Sequence, residues 1–302
     1  MNLRNWIVFG LLSAVWGASF LWIGIALDEK ITPMTLATVR VGLGLTGLLV
    51  VVRVKKVAIP REPRVWALFI ATGILNTALP FPLISWAETR IDTGMASVLN
   101  GTVPLFTNVF AHFLFHDERM SLRRAFGLLC GFAGLLVLAS KAFGQGERHT
   151  TLPGILAMLG AVFCYAAANC YAKKFLRGQK AIITATMTLL IAFIIMLPAL
   201  LIAEHPVKWP VLPLTWIALS WLGFLGLSWA YVAYFDLIEK WGPSRVSTSA
   251  YLYPFVGMLL GIVFRHEAPT WRLYVGAAMI VLGLWIVNLR ISRVPEKSAV
   301  PN

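Results

Sequence analysis

Residues 97–118 read SVLNGTVPLFTNVFAHFLFHDE, and residues 247–267 read STSAYLYPFVGMLLGIVFRHE. In each stretch a Ser stands seven residues before a Pro: Ser97 before Pro104, and Ser247 before Pro254. Each Pro lies in an apolar run that ends at a Glu, either Glu118 or Glu267. Nine and sixteen residues past each Glu come two glycines, Gly127 and Gly134 in the first copy and Gly276 and Gly283 in the second. Only the Pro-to-Glu interval differs, by one residue. A unit duplicated within lipid-like sequence implies two related halves around a shared site, the usual plan of a transporter.

The rest of the chain is equally apolar. Of its 302 residues, 59% are hydrophobic and 13% charged, and the mean hydropathy is +0.77. A soluble domain carries about 25% charged residues. The apolar runs are long enough to cross a bilayer as helix, which rises ~1.5 Å per residue. They lack the alternation of a membrane barrel. The expected fold is all-α: a polytopic membrane protein with ten transmembrane helices. The spans fall near 6–27, 33–52, 65–87, 93–115, 123–142, 152–173, 181–203, 212–236, 246–264 and 272–289. The run Trp6–Leu27 is too long for a signal-peptide core and lacks a convincing cleavage site, so it reads as the first retained span. No segment outside the spans is large enough to fold alone. The tail 292–302 is polar and is expected to be disordered.

The net charge of +13 would suggest nucleic acid on a soluble protein. Here the basic residues lie in short loops, so they report orientation. With a cytoplasmic N-terminus, 18 Lys and Arg fall on the cytoplasmic side, 7 fall opposite, and Arg40 alone lies within a span. Both termini are therefore expected in the cytoplasm. Five spans per half then put Glu118 and Glu267 on opposite faces, so the repeat is inverted. The domains read as 1–145 for the first repeat and 146–291 for the second, with the tail 292–302 beyond. Cys130, Cys164 and Cys170 all lie in apolar runs, with no disulfide framework and no zinc-type spacing. No cofactor is expected.

Several motifs, in order and in both halves, resemble the EamA family of the drug/metabolite transporter superfamily. They are Leu11-Leu12-Ser13-Ala14-Val15-Trp16-Gly17-Ala18-Ser19-Phe20, Arg40, Pro104 with Asp117-Glu118-Arg119, and Tyr251-Leu252-Tyr253-Pro254 with Glu267. The resemblance covers residues 6–289. It implies a bacterial inner-membrane exporter of small metabolites, often amino acids, with a central cavity lined by spans 1, 3, 4, 6, 8 and 9. It also implies that spans 5 and 10 are peripheral. The small multidrug branch uses a glutamate midway along its first span; this chain has no acid there before Asp28.

Polar groups at membrane depth are costly unless partnered or wet, which makes them site candidates. Asn76, Asn100, Asn108 and Asn169 are such groups, and an amide both donates and accepts. Interhelical hydrogen bonding is the alternative role for each. Trp16, Trp221 and Trp229 lie deeper than the interfacial tryptophans, and Tyr165, Tyr231, Tyr251 and Tyr253 join them. The substrate-binding set expected from these is Trp16, Ser19, Asn76, Asn100, Tyr165, Asn169, Trp229 and Tyr251. Pro80, Pro82, Pro104 and Pro254 interrupt their spans; Pro80, Pro104 and Pro254 are the expected hinges or gates.

Arg40 has four readings: snorkelling to the external surface, pairing with Glu88, pairing with Asp236, or meeting a substrate carboxylate. The structural roles come first. Glu118 and Glu267 are expected to pair with loop cations or to cap the helices that follow them. Gly127-Gly131 and Gly257-Gly261 have GxxxG spacing, assigned to packing within a monomer. The expected partners are a small-molecule substrate and the lipid bilayer. An amino-acid or related metabolite exporter leads, either as a facilitator or as a proton-coupled antiporter. A multidrug, organic-cation or nucleoside exporter and a lipid flippase are the alternatives. An intramembrane enzyme is disfavoured, because His112, the one deep histidine, has no evident catalytic partner in sequence.

Overall fold

Inside a lipid core each backbone N–H and C=O must find its partner within the protein, and a helix does this locally. The computed structural model describes residues 3–60, 62–115, 121–140, 150–176, 178–241, 249, 252–268 and 270–288. All regular structure among them is helical. Glu118, Ser247, Tyr251 and the tail 292–302 lie outside the described residues.

The first two crossings are single helices, α1 (Leu3–Asp28) and α2 (Pro33–Val54). The third consists of α3 (Pro63–Gly73), a π-helical stretch (Ile74–Ala78) and α4 (Pro80–Glu88). Pro80 has no N–H to give the Asn76 carbonyl, and its ring crowds that carbonyl. The chain widens here, with Leu79 N–H reaching Ile74 O at 3.0 Å, five residues back. Next come α5 (Thr93–Asn100) and α6 (Val103–Leu114), then α7 (Leu122–Ala139), α8 (Leu152–Phe175) and α9 (Ala181–Ala203). α10 (Pro213–Ser220) runs through a second π-helical stretch (Trp221–Trp229) into α11 (Ala230–Trp241). The described chain ends with α12 (Tyr253–Arg265) and α13 (Trp271–Asn288).

Among the described residues, seven stretches are long and apolar enough to cross a membrane, and Tyr253–Arg265 and Trp271–Val287 are shorter apolar helices. The fourth expected span is not one helix but two. Thr102 Oγ1 donates to Leu99 O at 2.6 Å, and Pro104 cannot donate to Asn100 O, so the ladder breaks between α5 and α6. Pro104 and Pro254 stand in the first turns of α6 and α12. They begin helices after a break, where no N–H is needed, rather than kinking a continuous one.

The helices pack in a pattern that matches itself when each crossing is exchanged for the one five later. α7 packs on α13, α2 on α9, and α5 on α12. α1 on α12 corresponds to α6 on α8, and α4 on α8 corresponds to α1 on α10. α2 on the second π stretch corresponds to α9 on α3 and the first. Both π-helical stretches fall in corresponding crossings.

The four repeat glycines meet one another between α7 and α13. A Cβ on Gly127 would lie 2.7 Å from Gly283 O, and one on Gly134 would lie 2.7 Å from Gly276 O. The first glycine of each copy faces the second of the other, so the two helices run antiparallel with their backbones in contact. Without a hydrophobic drive between helices in lipid, this close packing is what holds the pair. The glycines of the GxxxG spacings likewise pack within the chain, Gly131 on Leu105 and Gly257 on Ser97.

At one end of the bundle, acidic side chains cross between the halves to helix starts. Glu267, after α12, accepts from Thr93 N–H at 2.7 Å and Gly94 N–H at 3.0 Å at the start of α5. Glu204, after α9, accepts from Thr35 Oγ1 at 2.9 Å and from Thr32 Oγ1 at the start of α2. Glu29, after α1, accepts from Val211 N–H and, at 3.0 Å, Leu212 N–H just before α10. Arg265 pairs with Asp28. Glu267 is thus a cap, but on a helix of the other half rather than on the one that follows it. The reason is geometric: α12 lies against α5, so its end reaches the α5 N-terminus. Carboxylates at helix starts satisfy orphan N–H groups and complement the helix dipole.

Two outcomes follow from this packing. Gly283→Leu would place a Cβ 2.5 Å from Gly127 O and should lower stability by ~1–3 kcal/mol or more. Gly10, with nothing within 4 Å of its Cβ position, is the control. Melting temperatures of Gly283→Leu and Gly10→Ala in detergent test this; equal shifts would refute the contact. The second outcome concerns Glu29. Its carboxyl is held below the usual range by hydrogen bonding, first from the Thr215 side chain and then from the Val211 and Leu212 N–H groups, against a cost of desolvation. A lowered folded pKa means stability present above the unfolded value and lost as pH falls through the folded one. The stability gap between wild type and Glu29→Gln should therefore close on acidification. A gap that is constant with pH would rule this cap out.

Candidate functional site

Arg40 lies in α2, seven residues into the helix from Pro33. Only 6% of the residue is exposed, so it does not snorkel. Its guanidinium sits 4.1 Å from the ring centroid of Phe81 in α4, a cation–π contact strengthened by desolvation. Tyr165 of α8, Tyr231 of α11 and Glu88 at the end of α4 lie within electrostatic reach. Asp236 is not its partner, because Asp236 pairs with Lys240 at 2.6 Å. Among the described residues Arg40 makes no ion pair, and its Nε is buried without a hydrogen bond.

Tyr231 joins this cluster to an aromatic group. Its hydroxyl accepts from Asn76 Nδ2 at 3.2 Å, with Asn76 carried by the first π-helical stretch. Trp16 of α1 packs edge-on against Tyr231 (6.4 Å between centroids) and Tyr253 of α12 (5.9 Å), and at a tilt against Tyr234 (5.3 Å). Its indole N–H donates to Gly226 O in the second π-helical stretch at 2.9 Å. A π turn frees carbonyls from the regular ladder and re-aims its side chains, which is how such turns serve sites. The cluster therefore draws on both halves: Trp16, Arg40, Asn76 and Phe81 from the first, and Tyr165, Tyr231, Tyr234 and Tyr253 from the second.

The expected site residues distribute as follows. Trp16, Asn76 and Tyr165 converge here. Ser19 is buried on the same helix as Trp16, but its hydroxyl donates to Val15 O at 3.1 Å. Asn100 ends α5, where its Oδ1 is buried without a donor. Asn169 is exposed and donates to Thr107 Oγ1 at 3.4 Å, linking α8 to α6. Asn108 turns back on its own helix, donating to Pro104 O at 2.8 Å. Trp229 packs with Phe9 and Leu12 and lines a separate groove of about 720 Å³ with Arg4, Lys55, Lys180, Asp236 and Lys240. Tyr251 lies outside the described residues. Pro80 is buried at the first π joint, and Pro254 meets Gly101 at the α5–α6 break, 3.0 Å from that glycine's Cβ position.

Sequence reasoning passed over Tyr234 and Phe81 and ranked Arg40 as structural. The one available signal was the i, i+3 spacing of Tyr231 and Tyr234 on a single helix face. Phe81 carried no polar signal, because its role comes from facing a cation on another helix.

Comparison with known proteins gives a consistent result. A model described as the EamA-like transporter family matches residues 4–140 and again 152–289. The uncharacterized transporter YvbV of Bacillus subtilis is 25% identical over 98% of this chain and 95% of its own length. The uncharacterized inner membrane transporter YedA of Escherichia coli is 27% identical over 97% and 94%. A probable amino-acid metabolite efflux pump of Salmonella typhimurium is 26% identical over 91% and 92%. One solved crystal structure superposes with a TM-score of 0.65 at 21% identity, over 95% of this chain and 96% of that one; it shares the fold. With two matched copies of the family model, a helical membrane-type fold and a polar cluster shared between the halves, this chain is a membrane transporter and belongs to the EamA-like transporter family.

Proposed function

We propose that this protein exports small metabolites, with amino acids or related compounds foremost, across a bacterial inner membrane by alternating access. The observation that carries the reading is a buried polar–aromatic cluster built from both halves, from Trp16, Arg40 and Asn76 on one side to Tyr165 and Tyr231 on the other. A site between two related halves is exposed to alternate sides as their packing exchanges. The name of the Salmonella relative, an amino-acid metabolite efflux pump, favours amino acids among the metabolites.

In this reading the chain has ten spans, α5 with α6 forming the fourth and α10 with α11 the eighth. The halves, 1–145 and 146–291, are inverted, with both termini in the cytoplasm. The antiparallel contact of α7 with α13 and the matching pair contacts support inversion. The end bearing Glu29, Glu204 and Glu267 is external and closed by cross-half hydrogen bonds. The opposite end holds the groove lined by Lys55, Lys180 and Lys240 and is cytoplasmic. Closure at one end with an opening at the other is one stage of the cycle. Pro80, Pro104 and Pro254 stand at the breaks where helix segments pivot.

Proteoliposomes test the reading through counterflow of pooled labelled amino acids, nucleosides and organic cations. Amino-acid counterflow is expected; folded protein that moves none of these would defeat the exporter reading, and transport of cations or nucleosides alone would reassign its substrate. Tyr231→Phe removes the acceptor of Asn76 and should cost ~1 kcal/mol of stability, with a larger loss in counterflow. Single cysteines at Ala58 and Ala268, on a background lacking Cys130, Cys164 and Cys170, should label from opposite sides of the membrane. Labelling of both from one side contradicts the inverted arrangement.

A further inference from the structure

We infer that Arg40 is the recognition group for a carboxylate on the transported molecule, so the substrate is a small anionic or zwitterionic carboxylate rather than an organic cation or a neutral nucleoside. This rests on the transporter reading above and narrows it.

A guanidinium at membrane depth is expensive, and a structural one is normally tied to a carboxylate or to backbone carbonyls. Arg40 has neither. It is 6% exposed, and among the described residues it makes no ion pair. Its Nε is buried with no partner. Other acids that could have served are engaged elsewhere: Asp236 with Lys240, Asp28 with Arg265, Glu267 on the α5 start, and Glu204 on Thr32 and Thr35. Glu88 is the remaining acid within reach, yet both its oxygens are buried without a hydrogen bond. No ion pair or hydrogen bond joins it to Arg40 among the described residues, so the donors of Arg40 stay unfilled.

The geometry also suits a ligand. The guanidinium carbon of Arg40 lies over the Phe81 ring, 4.1 Å from its centroid. A ring face is no conventional acceptor for the guanidinium N–H groups, and a carboxylate can take two of them side by side. Tyr165 and Tyr231 flank the same group, with Asn76 bonded to the Tyr231 hydroxyl. The basic groove supplies a second, independent feature. Among the described residues lining it, Lys55 and Lys180 add positive charge beyond the Asp236–Lys240 pair, and a cleft dominated by one sign of charge concentrates counter-ions. One wall of the groove is Trp229, Val232 and Ala233, which bracket Tyr231 in sequence. An anion drawn into the groove thus arrives at the helix that carries a flank of Arg40.

The test compares wild type, Arg40→Gln and Arg40→Lys as purified full-length protein. Thermal stabilisation is read with standard amino acids, each paired with its amide and its decarboxylated amine. Carboxylates should stabilise wild type, and the paired amides and amines should not. Arg40→Gln should melt at or above the wild-type temperature without ligand, since it removes an unpaired buried charge. It should also bind the stabilising carboxylate roughly 30-fold more weakly or worse. Arg40→Lys keeps the charge but not the fork; it should fall between the two, and it keeps the test readable if the Gln variant does not fold. A structural arginine would give the opposite pattern, a lowered melting temperature with ligand response intact, and would overturn the proposal. Stabilisation by amides or amines equal to that by carboxylates would also overturn it. So would wild type that responds to no carboxylate while transporting cations or nucleosides in counterflow, although the exporter reading would then stand. Absence of all transport would instead remove the exporter reading itself.

Discussion

A helix that starts at the edge of a lipid layer leaves its first N–H groups without partners, and in that setting they cannot be left bare. Here carboxylates from the other half of the chain reach three helix starts, and Glu267 accepts directly from two first-turn N–H groups. Glu267 serves α5, Glu204 serves α2 by way of two threonine hydroxyls, and Glu29 serves the approach to α10. Each of these bonds joins the halves at a helix start. The closed end of the bundle is therefore held by polar groups at helix starts, which makes it a polar latch rather than a greasy seal. Hydrogen bonds of this kind exchange partners with water at small net cost, which fits the alternating access proposed above.

The two closest helices supply the opposite property. Where α7 meets α13, the backbones approach closely through Gly127, Gly134, Gly276 and Gly283, with Leu138, Met279 and Val287 packed beside them. Such a contact gains its energy from dispersion at short range and loses it steeply on separation. It forms a fixed spine beside a set of broken helices. The breaks at Pro80 and in the second π-helical stretch lie beside the segments that bring Asn76, Phe81, Tyr231 and Tyr234 to the central cluster. Rigidity and irregularity are thus divided between different elements, with Asn76 on a widened turn and Trp16, Arg40 and Tyr165 on unbroken helices.

The central cluster follows from those irregularities. Asn76 reaches Tyr231 from a widened turn, and Trp16 donates to a carbonyl of the other widened turn. A regular helix would keep that carbonyl for itself. The cation at the centre has an aromatic face beneath it and, among the described residues, no ion pair. An unfilled charge held by packing alone is what a site for an oppositely charged group requires, since preorganised donors need no rearrangement when the ligand arrives.

Much of this was present in the residues. Apolar run length and low charge determine helices in lipid, because no other backbone arrangement satisfies its hydrogen bonds there. The spacing of Ser97, Pro104, Gly127 and Gly134 against Ser247, Pro254, Gly276 and Gly283 determines the two halves. The amides and aromatics at membrane depth stood out by their cost, and Trp16, Asn76 and Tyr165 were legible for that reason. What linear sequence does not contain is direction around a helix and partnership between helices. Asn169 and Asn76 look alike in sequence, yet one faces outward to Thr107 and the other inward to Tyr231. Glu267 reads as a loop acid until α12 is laid against α5, and Arg40 reads as an anchor until each acid near it is seen to be engaged or out of contact. Those assignments belong to the tertiary structure, because they rest on distances between residues that the chain separates by as many as 237 positions.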